Sequence, residues 1–183
     1  MTLQNKRNTA IIALLSAGFF VFYGWLLPRF DVSAPDKNLL SLDLLPQYTL
    51  SDINSLFTSI GHEGIQQYYN FLILDYLYIL IYCALTFFIL KYLLNNSGRL
   101  GEKISVIRWF PFFVGLIDCI ENINTFVFLK LFPEISAPHA RFGSFVSTSK
   151  WYAASILAGI IICLLFYIVL RSLFWKLKHM KYN

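Results

Sequence analysis

The stretch PFFVGLIDCIENINTFVFL, Pro111 to Leu129, is apolar enough for lipid, yet it holds Asp118, Glu121, Asn122 and Asn124. An acid in hydrocarbon is expensive, about 2.5–3.5 kcal/mol for Asp at the centre of a spanning helix. Such a group persists where it faces protein and has a partner. Asp118, Glu121, Asn122 and Thr125 stand at i, i+3, i+4 and i+7, so they share one helix face. A second stripe matches it: Tyr68, Asp75, Tyr78 and Tyr82 recur at spacings of seven, three and four. At about 1.5 Å per helical residue, Asp75 lies roughly 10–13 Å and Glu121 about 15 Å below one surface. Lys150, in SFVSTSKWYAAS, starts about one turn inside that surface, and its stem can point down to meet them. The spacing predicts an outward-opening cluster of Asp75, Glu121, Asn122 and Lys150. Asp118 lies one turn deeper, and Tyr68, Tyr78 and Tyr82 form the wall.

Three carboxylates around one ammonium leave an excess of negative charge, which suits a proton donor or a cation site. Asp75 and Glu121 are the expected acid–base or cation-binding pair. Asn122 would orient them, and Lys150 would anchor an anionic group. The competing reading is structural, since buried polar contacts also hold membrane helices together at about 0.6 kcal/mol each.

The elements that must position these groups are long and apolar. The chain has 183 residues, 57% of them hydrophobic and only 14% charged, with a mean hydropathy of +0.60. A soluble domain carries about 25% charged residues. Four stretches reach the roughly 20 apolar residues that a spanning helix needs: about 9–27, 68–94, 106–132 and 145–174. The expected fold is therefore all-α: a single domain over 1–183, an integral membrane four-helix bundle in contact with the lipid bilayer. The first span is too long for a signal core and is read as a retained anchor.

Basic residues set the direction. Lys6 and Arg7 precede span one, Lys91, Arg99, Lys103 and Arg108 lie between spans two and three, and Arg171, Lys176, Lys178 and Lys181 follow span four. Asp31, Asp36, Asp43, Asp52 and Glu63 all fall in the 28–67 loop. Both termini are expected in the cytoplasm, with that loop outside, in a bacterial inner membrane. The net charge of +5 is thus sorted by side of the membrane and implies no nucleic-acid partner. Trp25, Trp109, Trp151 and Trp175 mark span ends.

The outer loop carries a short amphipathic helix. Thr49 and Asp52 form a capping box, Ile53, Leu56, Phe57 and Ile60 share a face, and Gly61 ends it. It either packs on the outer end of the bundle or lies in the membrane interface. Gly61 and Gly64 then turn the chain into span two. Leu39, Leu40, Leu42, Leu44 and Leu45 are expected to anchor the preceding loop. His62, His139 and Arg141 read as solvated loop residues.

Several chemistries find no support. There is no P-loop, no G-x-S-x-G and no histidine pair for a metal, so no cofactor is expected. Cys83, Cys119 and Cys163 each stand alone in an apolar run and read as small core residues.

From Tyr48 to Trp151 the chain resembles a group of small four-span bacterial membrane proteins. Their G-x-x-G-R-x-x-Y, intramembrane Asp, D-x-x-E-N and T-x-K-W segments are matched by Gly61, Gly64, Tyr68, Asp75, Asp118, Glu121, Asn122, Thr148, Lys150 and Trp151. Their arginine is Ile65 here. The resemblance implies one shared site and names no reaction. In span count and intramembrane acids alone, the chain also resembles sterol-isomerase and sigma-2-receptor-like four-helix proteins. The leading expectation is a pocket for a small amphipathic or lipid-like molecule. The rivals are a proton- or cation-coupled carrier acting as a homodimer and a non-catalytic accessory subunit.

Overall fold

The computed structural model describes residues 3–30, 32 and 39–180, with side chains of the helix ends at 3–6 and 175–180 left aside. The described residues are all-helical, and four of the helices are long and apolar enough to cross a membrane. α1 spans Leu3–Val21 and runs on through a π-helical turn, Phe22–Leu26, and a 3-10 turn, Leu27–Arg29. α2 spans Leu50–Asn96, α3 is the short Arg99–Lys103, α4 spans Phe110–Leu131 and α5 spans Ala137–Met180. α2 packs against α1, α4 and α5, and α4 also packs against α5.

α2 is two helices joined at Gly61, whose φ of 64° and ψ of −167° leave the helical region. Only glycine takes that backbone cheaply. The first arm is held by the capping box: the Asp52 amide donates to the Thr49 hydroxyl, and the Thr49 amide donates to the Asp52 carboxylate. Its apolar face is shut inward, with Ile53, Leu56 and Phe57 at most 1% exposed. The arm is therefore a packed cap on the end of the long helices. Gly64 does not turn the chain. It is helical, and a Cβ there would collide with the Ile60 side chain.

α5 starts at Ala137, eight residues before the expected span. Ser136 explains the early start: its hydroxyl accepts from the His139 amide and its carbonyl from the Ala140 amide. Pro138 sits in the first turn, where no helical N–H is lost. In the loop before α2, Leu42 is fully buried while Leu40 and Leu44 are 47% and 45% exposed, so only part of the leucine set anchors it. Asp31, Pro35, Asp36 and Lys37 lie outside the described residues.

The interior is layered. One apolar core, around Leu42, Phe57, Tyr68, Phe71 and Phe128, sits under the cap. A second, around Leu90, Leu94, Val114, Ala153 and Leu157, sits toward the other end. Between them along α2, α4 and α5 lie Asp75, Asp118, Glu121, Asn122 and Ser147, all buried. Large apolar side chains instead face outward, among them Phe20, Ile73, Leu80, Ile123 and Phe166. This polar-in, apolar-out order is stable where the surroundings are hydrocarbon. Cys83 is buried, while Cys163 is exposed on the outward face of α5, so the cysteines are not all core residues.

Candidate functional site

The polar face of α4 meets α2 and α5 in the layer between the two cores. Lys150, on α5, forms an ion pair with Glu121. Its ammonium also stands 3.5 Å from Asp118 Oδ1 and donates to the Asp43 backbone carbonyl at 3.1 Å. The ammonium is therefore committed to two carboxylates by charge and to one backbone carbonyl by a hydrogen bond. The Glu121 side chain is 1% exposed, against 13% for both Lys150 and Asp118. Asp118 has a second support, the Tyr82 hydroxyl, which donates to Oδ2 at 2.8 Å.

Asp75 is held differently. The Asn122 amide donates to its Oδ2 at 2.7 Å. The expected Asp75–Lys150 pairing is replaced by this amide contact. The two asparagines, separated by Ile123, thus diverge: Asn122 serves Asp75, while Asn124 Oδ1 lies 2.8 Å from His139 Nε2. His139 packs tilted against the Phe128 ring at 4.7 Å and is half-buried in the first turn of α5, not a solvated loop residue. Beside this pair, burial holds the Tyr48 phenol above its ordinary pKa range.

A cavity of about 610 Å³ opens beside the cluster. Asp43, Asp75, Asp118 and Lys150 line its polar part. Phe19, Tyr23, Tyr78, Tyr82 and Trp151 give it aromatic walls, and Phe71, Val114, Ala154 and Leu157 continue it as an apolar channel. The rings pack on one another: Phe19 on Tyr78 at 5.4 Å, Tyr23 on Tyr78 at 6.3 Å and Tyr78 on Tyr82 at 5.5 Å. Glu121 and Asn122 stand behind this wall and support residues that line it.

Among the expected site residues, Asp75, Asp118, Lys150, Tyr78 and Tyr82 reach the cavity. Tyr68 does not. It is fully buried in the core under the cap, where its hydroxyl accepts from the Leu42 amide at 2.9 Å and fixes the loop. Trp151, expected at the membrane interface, also lines the cavity. Sequence reasoning missed Phe19 of α1 and Tyr23 of the π-helical turn that follows it, though their i, i+4 spacing is that of a paired aromatic face. The Asp43 carbonyl has no side-chain identity to read.

Compared with protein-family models, curated proteins and solved structures, the chain finds no match in any of the three.

Proposed function

We propose that this chain is a multi-pass membrane protein whose cavity binds a small amphipathic, lipid-like molecule with a cationic, hydrogen-bond-donating head. The observation that carries the reading is the charge of the lining: Asp75 and Asp118 stand there against Lys150 alone, and Lys150 is already ion-paired with Glu121 behind the wall. Lys150 therefore serves as a clamp on the acids, and its charge is spent on Glu121 and Asp118. A cation entering beside Asp75 and Asp118 gains charge-assisted hydrogen bonds. It also gains the rings of Tyr78 and Tyr82, about 2 kcal/mol for a desolvated cation–π contact. An apolar tail would lie along Phe71, Val114 and Leu157. The volume of about 610 Å³ lies within the usual range for small-ligand sites. Asp75, with one carboxylate oxygen held by Asn122, is the group placed to meet a cation or exchange a proton.

The same proposal places the chain as a four-helix bundle in a bacterial inner membrane. The cap and cavity would open to the outside, and both termini would face the cytoplasm. The distribution of lysine and arginine supports this orientation. Reporter fusions at the two termini should read cytoplasmic, and an external reading contradicts the orientation.

The binding reading is tested with octylamine, octanol and octanoate added to the full chain in nanodiscs. Trp151 fluorescence reports, in a chain whose other three tryptophans are phenylalanine. Octylamine should bind saturably and about tenfold tighter than octanol, a gap of about 1.4 kcal/mol. Asp75→Asn should erase the gap. Equal binding of amine and carboxylate contradicts the proposal.

A further inference from the structure

At the end opposite the cap, the chain leaves α2 and enters α4 through α3 and a 3-10 turn over Ser105–Trp109. This short connection encloses a separate pocket of about 370 Å³. Lys91 and Arg108 line it with Asn95 and Ser105, and Glu102 is the one acid in the lining. We propose that this pocket binds a phosphate group, carried by the head of an anionic phospholipid.

The Nε of Arg108 is buried with no hydrogen-bond partner among the described residues, although buried polar atoms nearly always have one. A phosphate oxygen supplies that acceptor. Asn95 and Ser105 add neutral donors beside the two cations. Gly98, with a φ of 63°, and Gly101, packed so close to the Leu94 carbonyl that a Cβ would collide, let the connection fold tightly around the pocket. Arg171 from α5 closes over Gly98, and its Nη1 reaches the Asn96 carbonyl at 3.4 Å, so a third cation stands at the rim. The pocket therefore has a positive balance within a small, shaped volume. Arginine and lysine at such a place are the usual partners of phosphate oxygens.

A free phosphate and a lipid phosphate present the same oxygens. The surroundings favour the lipid. Trp109 and Phe112 are 54% and 44% exposed next to Arg108 and pack on Phe87. That is an apolar surface on which acyl chains can lie while the head group enters the pocket. Aromatic rings of this kind mark the membrane–water interface, and basic pockets between helices at that depth take anionic head groups. The inference is independent of the cavity around Asp75, and its failure would leave that reading untouched.

The test uses the full chain in nanodiscs of phosphatidylcholine doped with phosphatidylglycerol, released for native mass spectrometry. Phosphatidylglycerol should be retained in preference to phosphatidylcholine. K91Q and R108Q should each weaken retention about fivefold, the effect of one basic residue near an anionic lipid. E102Q should strengthen it, which keeps the test decisive if R108Q folds poorly. The double variant R99Q/K103Q changes basic residues of the same turn that do not line the pocket and should leave retention unchanged. Inorganic phosphate added to pure phosphatidylcholine nanodiscs distinguishes the sources. If it raises the melting temperature and no lipid is retained, the site takes free phosphate and the lipid assignment falls. Equal retention of both lipids with no phosphate effect overturns the proposal, as does an R99Q/K103Q loss as large as that of K91Q.

Discussion

The two acids expected to act as a pair stand in opposite situations. Glu121 is sealed behind Lys150, which it meets as an ion pair, and only 1% of its side chain is exposed. Asp75 lines the cavity, faces aromatic rings across it, and is held by the Asn122 amide. A charge closed off with a full partner behaves as structure. A charge steadied by a neutral amide and open to a cavity is held at a cost to stability, which is the usual mark of a functional group. On the proposed reading the polar stripe of α4 is divided, with glue on the α5 side and a site on the α2 side.

The largest test of that division removes the clamp. Lys150→Met leaves Glu121 buried and unpaired, and should cost about 3–5 kcal/mol of stability, read as a fall in the melting transition in nanodiscs. A neutral result would break the comparison, because it would leave Glu121 with nothing to seal. Tyr82→Phe probes the boundary between the halves. It removes the hydroxyl that donates to Asp118 at 2.8 Å, and should cost about 1.5–3 kcal/mol, as for a hydrogen bond to a charged group. It should also weaken octylamine binding, since Asp118 loses its orientation. Gly143→Ala lies on neither side and serves as a packing control. Its Cβ would stand 2.7 Å from the Tyr48 hydroxyl and 2.8 Å from the Phe128 ring, and would collide with Asn124. It should cost about 1–3 kcal/mol by overpacking and leave the amine preference intact.

Much of this was legible in the residues themselves. Hydropathy gives the four long helices, and the Thr49–Asp52 box and Gly61 give the cap helix with its ends, because those features act over a few residues. The meeting of α2, α4 and α5 at one depth also followed from helical spacing. What did not follow was direction. Whether Lys150 turns toward Asp75 or Asp118 depends on the loop, since the Asp43 carbonyl accepts from its ammonium and that atom carries no sequence identity. Tyr68 matched the spacing of a wall residue, but the chain folded Leu42 over it and made it core. His139 read as loop because Ser136 was not recognised as a helix cap, which moved the start of α5. The aromatic wall from the first span was hidden for another reason: no residue in that span's most apolar stretch is buried, so its pattern shows no inward face.

The most direct measurement is the thermal stability of the purified chain in nanodiscs, wild type against Asp75→Asn and Glu121→Gln. The division of roles predicts that Glu121→Gln melts lower, because Lys150 loses its buried partner, while Asp75→Asn melts at the wild-type temperature or above it. A fall for Asp75→Asn as large as that for Glu121→Gln would contradict it, and would make both acids structural.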